Sequence, residues 1–298
     1  MQIFIQVVLP VLFVFLIGFV VQRWKKIDVR SVSTVAIYIM TPTLVFRTFY
    51  NTELTIQLFY MVVFAVLLLA GLIAINKVYS KMNKFDQSTE SGLILSTAFM
   101  NAGNYGAPII LFAYGEEAFA YAIMFLVLQS VIMNSFGVYY AARGQAGIVV
   151  ALKAIVKMPA TYAVLIGLCI KLFQLSIPNN LMLTIDIIAE AAIPTVMIIL
   201  GMQLARIEWG NFEWKKVTYG TIVRLFVSPV LAIGLSSMLP MDPLMANVLI
   251  VSSAMPTAAT IVMYAVQFDA QPKLVSSTTI VTTVISVFTI TALLIILG

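Results

Sequence analysis

What most constrains this chain is a ladder of apolar runs separated by short polar breaks. The runs fall at 3–22, 32–50, 57–78, 91–114, 117–140, 151–174, 182–204, 218–239, 244–267 and 273–297. A bilayer core about 30 Å thick needs roughly 20 apolar residues of helix at about 1.5 Å per residue, and each run meets that length. Hydrophobic residues make up 62% of the 298, and charged residues only 10%, against roughly 25% charged in a soluble domain. A soluble fold is excluded. The runs lack the strict alternation of barrel strands, so helices are left to satisfy the backbone in lipid. The expected fold is an all-α membrane protein of ten transmembrane helices with short loops.

Charge sets the orientation of such a chain. Fourteen of the seventeen basic residues fall in odd-numbered loops, among them Arg23, Lys25, Lys26, Arg30, Lys77, Lys81, Lys84, Arg143, Lys153 and Arg206. Positive loops stay on the cytoplasmic side, which predicts both termini extracytoplasmic in a multi-pass protein of a bacterial inner (plasma) membrane. The formal charge of +5 is explained by this pattern, so no nucleic-acid partner is expected and the lipid bilayer is the partner the composition demands. The first run lacks the basic start of a secretory signal and is expected to remain as the first helix. Arg224, inside the eighth run near its cytoplasmic end, is expected to snorkel to the surface.

Catalytic templates find little here. The chain has no histidine and one cysteine, Cys169, inside an apolar run, which removes disulfides, Cys/His metal sites and histidine acid–base chemistry. No phosphate-binding loop of the Walker type is present. Neither an enzyme nor a bound cofactor or metal is expected.

The two halves repeat. An offset of 149 brings Pro10 over Pro159 and Leu16-Ile17-Gly18 over Leu165-Ile166-Gly167, and 152 brings Pro42-Thr43 over Pro194-Thr195. Ser96-Thr97-Ala98 matches Ser252-Ser253-Ala254, and Pro108 matches Pro256. Five helices per copy is an odd number, so the copies, residues 1–142 and 143–298, must enter the membrane from opposite sides. Two inverted five-helix repeats are characteristic of secondary transporters, whose site lies near the midplane between the copies.

The fourth and ninth runs carry breaks in matching places. Asn101, Gly103, Asn104, Gly106 and Pro108 interrupt the fourth, and Met255, Pro256, Thr257 and Thr260 the ninth. Proline suits the first turn of a new helix and glycine permits an unwound link, so half-helices starting at Pro108 and Pro256 are expected after a link through Gly103 and Gly106. Unwound backbone in hydrocarbon must be buried in protein or face a watery cavity. Two such breaks crossing near the repeat axis would aim amide-rich helix ends at one pocket, which favours a small organic anion. Thr41, Pro42, Thr43 and Pro194 are expected to line it.

Other polar groups in the membrane keep several readings open. Asp186 and Glu190 share a helix face and could carry protons, pair with Arg47, or lie at the interface if the seventh helix starts deeper than drawn. Gln129 and Asn134 could hold a coupling cation or bind neighbouring helices.

At these motifs the chain resembles the auxin efflux carrier family, whose bacterial members include malate and malonate permeases. The resemblance rests on Asn101-x-Gly103-x-x-Gly106-x-Pro108, then Gly115-Glu116-Glu117, then Ala192-Ile193-Pro194 with Leu200-Gly201, and Met255-Pro256-Thr257-Ala258. It covers nearly the whole chain. It implies ten helices with two crossing broken ones, a scaffold bundle, a mobile bundle, and elevator-like alternating access for mono- or dicarboxylates. It also implies that Asn101 and the turns at Pro108 and at Pro256 to Thr260 meet the substrate. Where other members carry asparagine four residues after this proline, Thr260 stands here. Coupling to H+ or Na+ and a homodimeric assembly stay open. A sodium-coupled symporter of bile-acid-symporter type and a non-transporting sensor or assembly subunit are the alternatives.

Overall fold

The computed structural model describes residues 2–53, 55–142, 156–206 and 212–298. Helices, some with single π-turns, run in the order α1 (Phe4–Lys25), α2 (Val29–Asn51), α3 (Ile56–Met82), α4 (Gln87–Ala98), α5 (Ala102–Ala141), α6 (Pro159–Leu172), α7 (Asn179–Arg206), α8 (Trp214–Met238), α9 (Pro243–Ser253), α10 (Ala259–Gln267) and α11 (Pro272–Leu297). Seven of them, α1, α2, α3, α5, α7, α8 and α11, are long and apolar enough to cross a membrane. Among the described residues no strand forms beyond one isolated antiparallel bridge, Met100 with Thr257. The boundary drawn between residues 142 and 143, and the start of the sixth run, lie outside the described residues.

Large side chains on nearly every helix face outward, Phe13, Ile17, Leu67, Leu183, Val230 and Phe288 among them. A chain with this surface is solvated by lipid rather than water. Buried polar groups instead gather on α4, α8, α9 and α11, where lipid cannot reach them.

Two groups of helices can be distinguished by their contacts. In the first, α1 lies on α7 and α2 lies on α6, with α2 and α7 also in contact. Glycines make both approaches close: a methyl group on Gly18 would stand 2.2 Å from the Ile198 carbonyl oxygen, and one on Gly167 would stand 3.2 Å from that of Phe46. Small residues let membrane helices approach backbone to backbone, where dispersion and weak polar contacts act. In the second group α3, α4, α8, α9, α10 and α11 gather around the two breaks.

Helix α5 spans 40 residues, about 60 Å if straight, twice the hydrocarbon thickness. Gly115 divides it, with φ of 79° and ψ of −169°, a conformation glycine adopts without strain. Residues 102–114, which follow the break after α4, are thus set off by this kink from residues 116–141.

Candidate functional site

The fourth and ninth runs break and meet, a few residues from where composition alone places the breaks. Helix α4 stops at Ala98 and α9 at Ser253, and the short breaks that follow are stitched together. The Asn101 amide donates to the Pro256 carbonyl at 2.8 Å, and the Ala258 amide donates to the Phe99 carbonyl at 3.0 Å. Gly103 and Gly106 are not the unwound link. They lie in a π-turn, Ala102–Gly106, that opens α5, and Pro108 follows in the first α-helical turn. Likewise the ninth run resumes at Ala259, with Pro256 inside the break rather than heading the new helix. Pairing between the two breaks satisfies backbone that lipid could not, so each helix stops where a partner strand residue is available.

The carbonyl ends and the amide ends at this crossing are treated differently. Thr257 donates its hydroxyl to the Ser96 carbonyl at 2.5 Å, and its own amide donates to Thr282 Oγ1 at 3.3 Å. Arg224 Nη1 donates to the Thr97 carbonyl at 2.7 Å, while Nη2 donates to the Ser253 carbonyl and to Ser228 Oγ. Asn76 Nδ2 reaches Thr97 Oγ1 at 2.8 Å. The carbonyl ends of α4 and α9 are thus answered by side chains. The amide ends are not: neither Asn101 before α5 nor Ala258 before α10 caps its helix through a side chain. Helices α2, α3, α4 and α9 carry capping side chains, Asp28, Thr55, Asp86 and Asp242. Helices α6, α8 and α11 also begin without one, but at loops, whereas Asn101 and Ala258 are buried. First-turn amides with no partner in their own helix carry about half a positive charge per end.

Around these ends Asn101 is buried, with Gly103, Asn104 and Thr260 half-buried. Met255 is fully buried, and a methyl group on Gly106 would touch its Cγ at 3.1 Å. Tyr105 places its ring 5.2 Å from that of Phe15 on α1 and accepts from Ser286 Oγ at 3.1 Å. Helix α7 lies against the first turn of α5. Thr41, Pro42 and Thr43 are half-buried on α2 and Pro194 is exposed on α7; no bond ties these four to the bridge. Both Pro-Thr pairs use the same local device, since Thr43 donates to the Ile39 carbonyl and Thr195 to that of Ala191, each at 2.7 Å.

Arg224 corrects the sequence reading. It does not snorkel: it is fully buried and sits between the two broken helices. Its partners are main-chain carbonyls 127 and 29 residues away, which no local pattern announces. Asn76, Thr282 and Ser286 also escape a reading of the sequence, and the one signal for the last two is the run of Ser and Thr inside an otherwise apolar α11; Ser96 enters that reading only through its match with Ser252.

Three of the remaining four candidates are paired. Arg47 lies 3.7 Å from Asp186 and 3.9 Å from Glu190, and α7 starts at Asn179, so the acids stand two and three turns inside the helix rather than at a deeper start. Asn134 donates to the Ser130 carbonyl and to Met158 Sδ, and accepts from the Tyr264 hydroxyl at 2.7 Å, which ties α5 to α10. Gln129 is buried. A cavity of about 290 Å³ lies away from the bridge, walled by Thr52, Glu53, Thr55, Glu117 and Tyr121, and its two acids do not suit an anion. Among the described residues no cluster of acids or cysteine could hold a metal ion.

Comparison with known proteins agrees with a membrane protein. Residues 3–150 and 145–294 match the family described as membrane transport protein. An "Uncharacterized transporter" of Methanothermobacter thermautotrophicus is 26% identical over 94% of each chain. A second protein so described, from Methanocaldococcus jannaschii, is 28% identical over 95% of this chain and 96% of its own. A "Putative malonate transporter" of Rhizobium meliloti is 27% identical over 88% of this chain and 85% of its own.

Proposed function

The chain belongs to the membrane transport protein family, whose named relatives are transporters and not enzymes, and from that premise we propose that it is a secondary carrier of small mono- or dicarboxylates such as malonate or malate. The observation that carries the reading is the pairing of the two breaks, Asn101 to Pro256 and Ala258 to Phe99, because it brings two uncapped amide ends to one buried crossing. Two ends of about half a charge each, in a low-dielectric surrounding, attract an anion and repel a cation. Asn101, Asn104 and Thr260 add side-chain donors without adding charge, and Gly103, Gly106, Pro108, Met255 and Pro256 shape the wall. In this conformation Thr257 spends its hydroxyl within the protein, so it holds the crossing together and meets substrate only through its neighbours.

Ten passes in two inverted repeats fit the helices described. Counted through the breaks, α4 with the first part of α5 makes one pass, the rest of α5 another, and α9 with α10 a third. The glycine contacts support the repeat: Gly18 on α1 meets Ile198 on α7, and at the same offsets of 149 and 152 Gly167 on α6 meets Phe46 on α2. In this reading the bundle formed by α1, α2, α6 and α7 is the scaffold, and the helices around the crossing carry the substrate past it. Lining by Thr41, Pro42, Thr43 and Pro194 is then a property of another point in the cycle. Gln129 and Asn134, or Asp186 and Glu190 held by Arg47, are the candidates for proton or sodium coupling.

Uptake and counterflow of a carboxylate panel in proteoliposomes tests the proposal, with Asn101→Ala and Pro256→Ala beside the parent. The parent is expected to move at least one carboxylate, and each variant to lose about tenfold or more, the scale of losing one aligned donor at a buried anion site. A parent that moves none, or variants as active as the parent, would refute it. Imposed proton or sodium gradients identify the driving ion.

A further inference from the structure

We propose that Arg224 fixes the sign of the charge the crossing accepts, by cancelling the two carbonyl ends so that only the two amide ends act on a ligand. This inference rests on the carrier reading above.

Four helix ends converge at the bridge, two from α4 and α9 and two from α5 and α10. Carbonyl ends carry about half a negative charge and amide ends about half a positive one. Left alone, the four sum to about zero, and the crossing has no preference for either sign. Arg224 changes the sum. Its guanidinium donates to Thr97, next to last in α4, and to Ser253, last in α9, so one unit charge faces two half-charges. What remains is about one positive charge, on the amide ends of α5 and α10.

The residue is costly to place there, since a cation deep in a membrane protein ordinarily demands a partner. No carboxylate pairs with Arg224 among the described residues, whose ion pairs are Arg47 with Asp186 and Glu190, and Lys216 with Glu213. Main-chain dipoles and the Ser228 hydroxyl are its counter-charges. Ser228 donates in turn to the Ser253 carbonyl at 2.8 Å, which holds the fork in register. Arg224 is therefore a positioning residue that acts through the helix ends and need not touch the substrate.

Charge and fork geometry can be separated. In proteoliposomes, inhibition of labelled malonate uptake by unlabelled malonate and by its uncharged isostere malonamide gives a preference ratio. A merely structural defect lowers both affinities together and leaves that ratio alone. Arg224→Gln keeps an amide donor for the carbonyls but removes the charge, and is expected to lower the ratio about tenfold or more, whereas Arg224→Lys keeps it within about threefold. Ser228→Asp neutralises the arginine in place and is expected to act as Arg224→Gln does, with Ser228→Asn as its uncharged control; this pair gives a result should Arg224→Gln fail to assemble. An unchanged ratio in Arg224→Gln or Ser228→Asp, or a loss in Arg224→Lys as large as in Arg224→Gln, overturns the inference while leaving the carrier reading intact. A parent that neither binds nor moves any carboxylate overturns both.

Discussion

At the scale of single residues, glycines and one arginine decide what the apolar sequence cannot. Gly18 and Gly201 allow α1 and α7 to touch: a methyl group at Gly201 would lie 1.9 Å from the Phe15 carbonyl oxygen, and one at Gly18 2.2 Å from that of Ile198. Both clashes are with main chain, which cannot step aside as a side chain can. Gly18→Ala and Gly201→Ala should each destabilise by about 1–3 kcal/mol, the usual cost of overpacking. Gly234→Ala, with nothing within 4 Å, should be neutral or stabilising, and melting curves in detergent compare the three. Glycine in these runs is visible in the sequence, and Gly18 and Gly167 stand at matching positions in the two halves. Arg224 is visible there only as a residue type. A long basic side chain near a helix end ordinarily reaches water, and the partners that hold it inward are backbone groups brought close only by the folded chain.

Helices show the same division between local and tertiary control. The positions of the apolar runs follow from composition, and α1 to α3, α7, α8 and α11 lie within a few residues of the drawn limits. The breaks in the fourth and ninth runs are legible from glycine, asparagine and proline, but their edges are not, because Phe99 and Asn101 leave the helix to pair with Ala258 and Pro256. That choice is made by the other half of the molecule. Caps at the loop ends are local by contrast. Asp28 accepts from the Arg30 and Ser31 amides and from Ser31 Oγ at 2.6 Å. The Ser31 hydroxyl, more than any other neighbour, holds its carboxyl below the ordinary value of 3.8, with the Arg30 amide next. A carboxyl depressed in the folded state contributes stability above its unfolded value and loses it as pH falls through the folded one. Asp28→Ala should therefore melt below the parent at pH 7, and the gap between them should close once pH is taken below 3.8.

For the whole molecule, the balance of basic residues predicts sides. If both termini lie outside, as that balance predicts, the loop after α6 is external and the loop after α3 internal. In a Cys169→Ser background, Ser176→Cys should react with an impermeant maleimide in intact cells, and Met82→Cys only after permeabilisation; Met82 is 77% exposed, so access is set by the membrane alone. The opposite pattern would invert the molecule and exchange the two faces of the proposed site.

Two hydrogen bonds run between the breaks in opposite directions, one from each half of the chain to the other. Parting that seam would leave both pairs of main-chain groups without partners in a place that lipid cannot satisfy. If cargo is held at that seam, as proposed, displacing the fastened piece bodily with its passenger keeps both bonds whole, and the distance it would travel is set by how far the surrounding helices let it slide.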